Sequence, residues 1–554
     1  MNNINTCVGG SFPSTPNDIK ILLASIKKEV DELVKETEAK LLLHDGKIAE
    51  CCKYLKDNLS NSIRCMLLDM KLSGELDEVI TESVLNEYNI IKERINHYIN
   101  VKEYGVIGNG INDDTTMFKK AIESGADLLI PEDCHIVVSE ALNIKQNIKG
   151  YPGSSIKQIT KRSNIFNLQK EGIIVEGVTL LGTGEGFEFD SVEGAGTLIK
   201  SSRKNITIRN CTFKDANYVG CFIDPESTHN IIDSCLFINC WAEGISVQSD
   251  NSKVLNCYFE NCSYNGCVIR GASHVTVDGC EFIDCSITDV ALDLLPNYDK
   301  TKYCSDCILT NNYFKNAYLC ISLYGTDVDN HHENITIKGN TFNGRDNSEV
   351  GVRVYYSNNI KVVENTFKEA GTLTSMLFSG CNNVVCNDNM LMNGSLGIDC
   401  SCEDVANIKG NTLKNFTDIG IRVRTYKAQY NHNFIVEGNN LLDCNTGIKT
   451  EGNYMKSVVI NGNSITNATK DLNITGAMDI FVLTNNNVNI NKKLDITAQT
   501  NTFIKSNNSI DKKVCSISTR PVSPVAGDMV FDTSLNKPIW YTGSTWVDSI
   551  GTGV

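Results

Sequence analysis

Between Asn205 and Val488 the chain repeats one pattern twelve times: a short apolar strand, a Cys or Asn, one further residue, then a bulky apolar anchor. The anchors are Phe213, Phe237, Phe259, Phe282, Phe314, Phe342, Phe367, Leu391, Leu413, Leu441, Ile465 and Val488, spaced 22 to 32 residues apart. Two positions before them stand Cys211, Cys235, Cys257 and Cys280, then Asn312, Asn340, Asn365, Asn389, Asn411, Asn439, Asn463 and Asn486. No segment between anchors carries a helix of useful length, so each repeat is a coil of short strands and turns. One coil cannot bury its own apolar face, whereas stacked coils bury a shared core. The expected fold is therefore mainly β, a parallel β-helix in which a Cys ladder gives way to an Asn ladder. The Asn run is read as structural, because each buried amide can bond the Asn above and below it.

Composition narrows the function classes. A net charge of −15 gives no general attraction to nucleic acid. No run of about 18 apolar residues appears, so membrane insertion is not expected. Met1 to Pro16 is polar, without the basic head and apolar stretch of a secretory signal. Many of the 23 Cys fall at inward strand positions, which makes them reduced core residues of a protein assembled in a cytoplasm. Cys304-x-x-Cys307 and Cys400-x-Cys402 invite a metal reading, but no second pair stands at zinc-site spacing. Neither metal nor cofactor is expected.

The chain divides by texture. Residues 1–16 read as a flexible N-terminus. Residues 17–100 are rich in Lys, Glu, Leu and Ile, with apolar residues such as Ile19, Leu22, Ile26, Val30 and Leu33 at helical spacing. The same spacing returns from Leu76 through Ile80, Val84, Tyr88, Ile91, Ile95 and Ile99. A narrow apolar stripe of this kind suits an oligomerising helical stalk or an independent helical hairpin. Residues 101–510 hold the repeats, and 511–554 read as a small β-meander containing Trp540 and Trp546. Those two Trp either pack a small module or offer flat faces to sugar rings.

The texture changes at Val101. Tyr104-Gly105, Gly108-Asn109-Gly110 and Asp113-Asp114-Thr115 precede a short amphipathic pattern, Met117, Phe118, Ala121 and Ile122, which ends at Gly125. Leu128-Leu129-Ile130-Pro131 follows. The paired Asp residues read as helix caps rather than a catalytic dyad, and the helix as a lid on the first coil. This segment resembles the opening motif of the pectate-lyase-like superfamily, common in bacteriophage tailspikes; it departs at Asn109, where Asp is more frequent. The resemblance, over roughly residues 101–510, implies a right-handed β-helix and, less specifically, a homotrimeric virion tail protein. Its N-terminal region would then meet other tail proteins, and its body a host cell-surface glycan.

A second strand in most coils reads Gly-Ile-x-Val-x, which sends Ile and Val inward and the x residues outward. One outward row reads Asp224, Gln248, Arg270, Asp293, Tyr324, Tyr355, Ser401, Arg424 and Glu451. Its neighbour reads Phe222, Ser246, Val268, Ala291, Ser322, Arg353, Asp399, Arg422 and Lys449. Tyr supplies a flat amphipathic surface and Arg a planar donor fork, a mixture suited to an extended anionic glycan. Arg270, Tyr324, Arg353, Tyr355, Arg422 and Arg424 are the expected binding residues. Asp293 is the central acid, with Asp250 or Asp327 as the second carboxyl that glycoside hydrolysis needs. A lyase would instead use a base and a cation beside a uronate. His331-His332 is read as a loop feature. Three readings stay open: a depolymerising tailspike, a non-catalytic receptor-binding fibre, and an appendage of a phage-tail-like bacteriocin.

Overall fold

The computed structural model describes residues 98–554 apart from 187–195, 286–288, 328, 345–349, 370–373, 426–431, 453–454, 489–494, 497, 507, 511–513, 518–519, 521–523 and 525. The chain falls into two units, Met1–Asn96 and His97–Val554. The expected stalk lies outside the described residues, except that Tyr98–Asn100 is a strand paired with Asp127–Ile130 rather than the end of a helix.

The body is a parallel β-solenoid of about 15 turns. A coil carries up to three short strands, as in Thr207–Arg209, Thr212–Lys214 and Cys221–Ile223. Each pairs in parallel with its counterpart one coil on: Ile231–Asp233, Leu236–Ile238 and Glu243–Val247. Parallel ladders run from Tyr98 to Ile510. The anchor pattern counts fewer coils because the first ones, before Asn205, lack the Cys/Asn-x-Phe signature.

Each repeated coil bends just before its ladder residue. Asn210, Ser234, Asn256, Asn311, Asp388 and Asn485 have φ between 50° and 56° there, and Gly279, Gly339, Gly410, Gly438 and Gly462 between 64° and 67°. Asn, Asp and Gly tolerate this left-handed conformation best. The bend turns the next residue inward, and the anchors then stack. Phe213, Phe237, Phe259 and Phe282 lie ring over ring with centroids 4.6, 4.9 and 4.7 Å apart. A Cβ added to Gly266 would stand 2.6 Å from the Phe282 ring, so glycine lets strand and ring approach.

The two ladders share one set of acceptors. The thiols of Cys211, Cys235, Cys257 and Cys280 point at the carbonyls of Val175, Ile208, Ile232 and Val254. Asn312 Nδ2 takes the next of these, Val277, at 3.1 Å, and its Oδ1 accepts the Cys280 N–H at 2.9 Å. From there each Asn donates to the Oδ1 of the next, a ladder that extends to Asn508. Eighteen cysteines, Cys134 to Cys444, are buried free thiols, Cys304 and Cys307 among them. Substituting Asn365→Leu should cost about 3 kcal/mol, because Asn340 loses the acceptor of two donors and stays buried. Chemical denaturation reads this; a cost below about 1 kcal/mol would mean the ladder contributes little.

Helix Thr115–Glu123 covers the first coils with Phe118 and Ala121 fully buried. Asp113 accepts the Thr115 N–H at 2.9 Å, while Asp114 accepts from Ile107 and Gly108 at 2.7 and 3.0 Å. The Asp pair is thus structural, though Asp114 ties down the Gly108 turn instead of capping the helix. At the other end, Val514–Cys515, Met529–Asp532, Lys537–Tyr541 and Trp546–Asp548 form a four-stranded sheet. Its first pair is parallel, so only the last three strands form a meander. Trp546 packs with Val530 and Ile539, and Trp540 is half-exposed.

Candidate functional site

The candidate site lies on the strands Glu243–Val247, Asn265–Arg270, Val290–Leu295, Leu319–Tyr324 and Val350–Tyr355. Their register corrects the expected rows. Asp293 pairs with Val268 below and Ser322 above, and Ser322 with Arg353. Arg270 pairs with Leu295, and Tyr324 with Tyr355. Asp293 therefore shares its row with Ser246, Ser322 and Arg353, two residues from where the repeat pattern places it. The cause is local: Ala291 replaces the glycine that marks the start of the pattern in other coils.

Asp293 is also not an exposed strand residue; it is 6 % exposed. Burial and the nearby Asp289 push its pKa up to about 7, against the opposing pull of Arg353 and Arg270. Ser322 lies close enough to favour the charged form, but its Oγ closes no hydrogen bond, and Asp293 Oδ1 has no partner either. Asp289 is raised as well, by burial, with Arg353 opposing. Two acids with elevated pKa values and two guanidinium groups thus share one small region.

The flanking groups are aromatic. Arg270 stacks over Tyr298 at 4.4 Å and reaches Glu243 at 3.9 Å. Arg353 lies over Tyr355 at 5.7 Å, and Tyr355 meets Tyr324 edge-on at 5.9 Å. These four of the expected binding residues are gathered around Asp293. The other two, Arg422 and Arg424, are engaged elsewhere. Both clamp the buried Asp399 bidentately, Arg422 at 3.0 and 2.6 Å and Arg424 at 2.9 and 2.9 Å. Arg422 also approaches Glu451, which pairs with Lys449.

The structure gives the two expected partner acids turn roles. Asp250 accepts the Ser273 N–H at 2.7 Å and pairs with Lys302 at 2.7 Å. Asp327 accepts the Asp329 and Asn330 N–H groups and is held below the usual carboxylate range chiefly by Asn330. His332 is not a loop feature but a core residue. Its Nδ1 accepts the Cys304 N–H at 3.0 Å, and burial drives its pKa down to about 4. Among the described residues, no group of His, Cys, Asp or Glu is arranged to hold a metal ion. No helix among them is long and apolar enough to cross a membrane.

Residues 151–295 and 198–367 match the family described as "Right handed beta helix region". The body is a right-handed β-helix. No curated protein matches the chain by sequence. Among solved structures, bacteriophage CBA120 tailspike protein 3 is similar at 12% identity, covering 84% of this chain and 71% of its own, with a TM-score of 0.47. The Dettilon tailspike protein is similar at 14% identity over 64% of this chain and 69% of its own, TM-score 0.45. The A-module of an Azotobacter vinelandii mannuronan C-5 epimerase is similar at 14% identity over 68% and 98%, TM-score 0.37.

The β-helix brings in residues that sequence reading did not single out. Asp289 stands just before strand Val290–Leu295, and Glu243 opens a strand two coils earlier. Tyr298 lies in the turn after Leu295. Their common signal is position: charged or aromatic residues at the strand margins of the coils at and just below Asp293.

Proposed function

We propose that this β-helix binds a host cell-surface glycan along the strip around Asp293 and cleaves it, as a tailspike-like receptor-binding protein of a phage tail. One observation carries the reading. A buried carboxyl with an unpartnered oxygen sits beside two guanidinium groups and half-exposed tyrosines. Such a group costs stability and is kept where proton transfer is needed. A pKa near 7 suits a general acid or base at neutral pH.

Asp289 is the better second carboxyl than Asp250 or Asp327, since its charge already acts on Asp293. Four residues of extended chain separate the two Cα atoms by at most roughly 13 Å. The two side chains would lean toward each other to reach the roughly 6.5–9.5 Å between carboxyl groups that inverting hydrolysis uses. Arg270 and Arg353 would hold anionic groups of the polymer. In this reading the chain assembles as a homotrimer in the bacterial host cytoplasm, with the N-terminal unit facing the other tail proteins. The test is product chemistry: purified host surface glycan incubated with the protein should yield new reducing ends. Unsaturated products would make it a lyase, and binding without any product would make it a non-catalytic fibre.

A further inference from the structure

The strip has two margins, and both carry half-exposed tyrosines. Where the strands begin, Tyr264 immediately precedes Asn265–Arg270 and is 48% exposed. Trp241 meets it edge-on at 5.6 Å. Trp241 in turn packs with Tyr218, Val219, Phe222 and Ala242 in a cluster separate from the main core. Gly186 backs the indole so closely that an added Cβ would lie 1.6 Å from Nε1. Tyr264 therefore stands on a fixed support. Asp289 and Tyr318 occupy the same place in the next two coils, just before Val290–Leu295 and Leu319–Tyr324. Where the strands end, Tyr298 is 46% exposed with Arg270 stacked on it.

Between these margins lie buried polar atoms without partners: Ser246 Oγ, Arg270 Nε, Asp293 Oδ1 and Ser322 Oγ. They belong to four successive coils, and Ser375 Oγ and Asn473 Oδ1 are further such atoms higher on the same face. Further up the same rows the polar groups satisfy one another, Arg422 and Arg424 on Asp399 and Lys449 on Glu451. Unmet hydrogen-bonding capacity thus spans the strip from margin to margin and is densest in these four coils.

We infer that the bound glycan crosses the strands, from a sugar ring seated on Tyr264, over Asp293, to a ring seated on Tyr298, instead of following the solenoid axis. This rests on the glycan-binding reading above. A six-residue strand such as Asn265–Arg270 is roughly 17 Å from end to end, enough for a short oligosaccharide. The apolar face of a pyranose ring suits a tyrosine face, and the polar groups between the margins fix the intervening unit.

The test uses the full chain and, as probe, an immobilised panel of structurally defined bacterial surface polysaccharides, neutral and acidic. The polymer that retains the wild type is then titrated against Tyr264→Ala, Tyr298→Ala and Ser379→Trp, with thermal melts as folding controls. Ser379 pairs with Tyr355 and Ser401 in the row above the strip, so a tryptophan there would obstruct an axial path. Each tyrosine variant should weaken binding tenfold or more, to a similar degree at low and high salt. Ser379→Trp should stay within twofold of the wild type. Should that variant melt early, Lys449→Ala asks the axial question without added bulk. Loss of binding in Ser379→Trp or Lys449→Ala with Tyr264→Ala neutral would overturn the crossing path in favour of an axial one. Binding that depends on Arg270 but on neither Tyr264 nor Tyr298 also sinks the path while leaving the glycan reading intact. A panel that retains nothing refutes both.

Discussion

Asp293→Asn should abolish cleavage and, at about pH 8, make the protein more stable than the wild type. The two effects share one cause. Asp293 is buried, and its pKa is raised from 3.8 to about 7. The folded state therefore holds this proton more tightly than the unfolded state does. Between the two values the folded state binds more protons, so stability is full below about pH 4 and declines as pH rises to about 7. Above pH 7 the deficit amounts to about 4 kcal/mol. Asparagine carries no charge to desolvate, so that slope disappears, although its buried amide returns part of the gain. A net stabilisation of about 2 kcal/mol is expected. Cleavage should fall at least about 100-fold, the usual contribution of a positioned acid or base. Melting curves across pH and reducing-end assays read the two halves separately. A variant that melts no higher than the wild type at alkaline pH, with the same pH slope, would show that Asp293 is an ordinary solvated carboxylate.

Asp399→Ala should destabilise the fold by about 3 kcal/mol. Asp399 is the counter-ion of two arginines on the coil above, and its side chain is only 3% exposed. Removing it leaves Arg422 and Arg424 facing each other without the carboxylate that neutralises both. Broken buried pairs cost more than the pairs contribute, because the surviving charge keeps its desolvation penalty. Partial exposure of both arginines, 22% and 28%, places the expected value at the low end of that range. Urea denaturation measures it, and glycan binding should be unaffected. A loss smaller than about 1 kcal/mol would class the cluster as a solvated surface network.

The solenoid was legible because its period is written in residues that only a stack explains. The Phe and Asn rows serve no single coil, so their recurrence already implies neighbours above and below. The face was harder to read, for reasons of register. Counting from the glycine mark fails at Ala291, and a two-residue slip moves Asp293 beside Arg270 and Tyr324 instead of Ser322 and Arg353. A slip of two keeps the side of the sheet, so the hydrophobic pattern could not expose it. Asp399 and Arg422 do stand in one sequence row, yet an outward position is not always a solvent-facing one, and Asp399 is buried. Their mutual neutralisation needs the third residue, Arg424, in three dimensions. Burial of Asp293 was invisible for a similar reason, since Arg270 and Arg353 reach it from other coils and Asp289 from the start of its own strand.

The amide ladder from Asn312 to Asn508 has a consequence for how such a chain can change length in evolution. Each rung hands its acceptor to the rung before it, and every rung is chemically alike. Excision of Asn439 through Gly462 would join Gly438 to Asn463 and set Asn411 against Asn463 with the same donors, acceptors and left-handed bend at the junction. Loss of a single residue between a left-handed bend and its anchor would instead turn that rung toward solvent and strand its neighbours. Whole coils can therefore be gained or lost without disturbing the ladder, and turns can change length, as the intervals of 22 to 32 residues between anchors show. The distance between the ends can drift in steps of about 4.8 Å while the strip around Asp293 keeps its geometry.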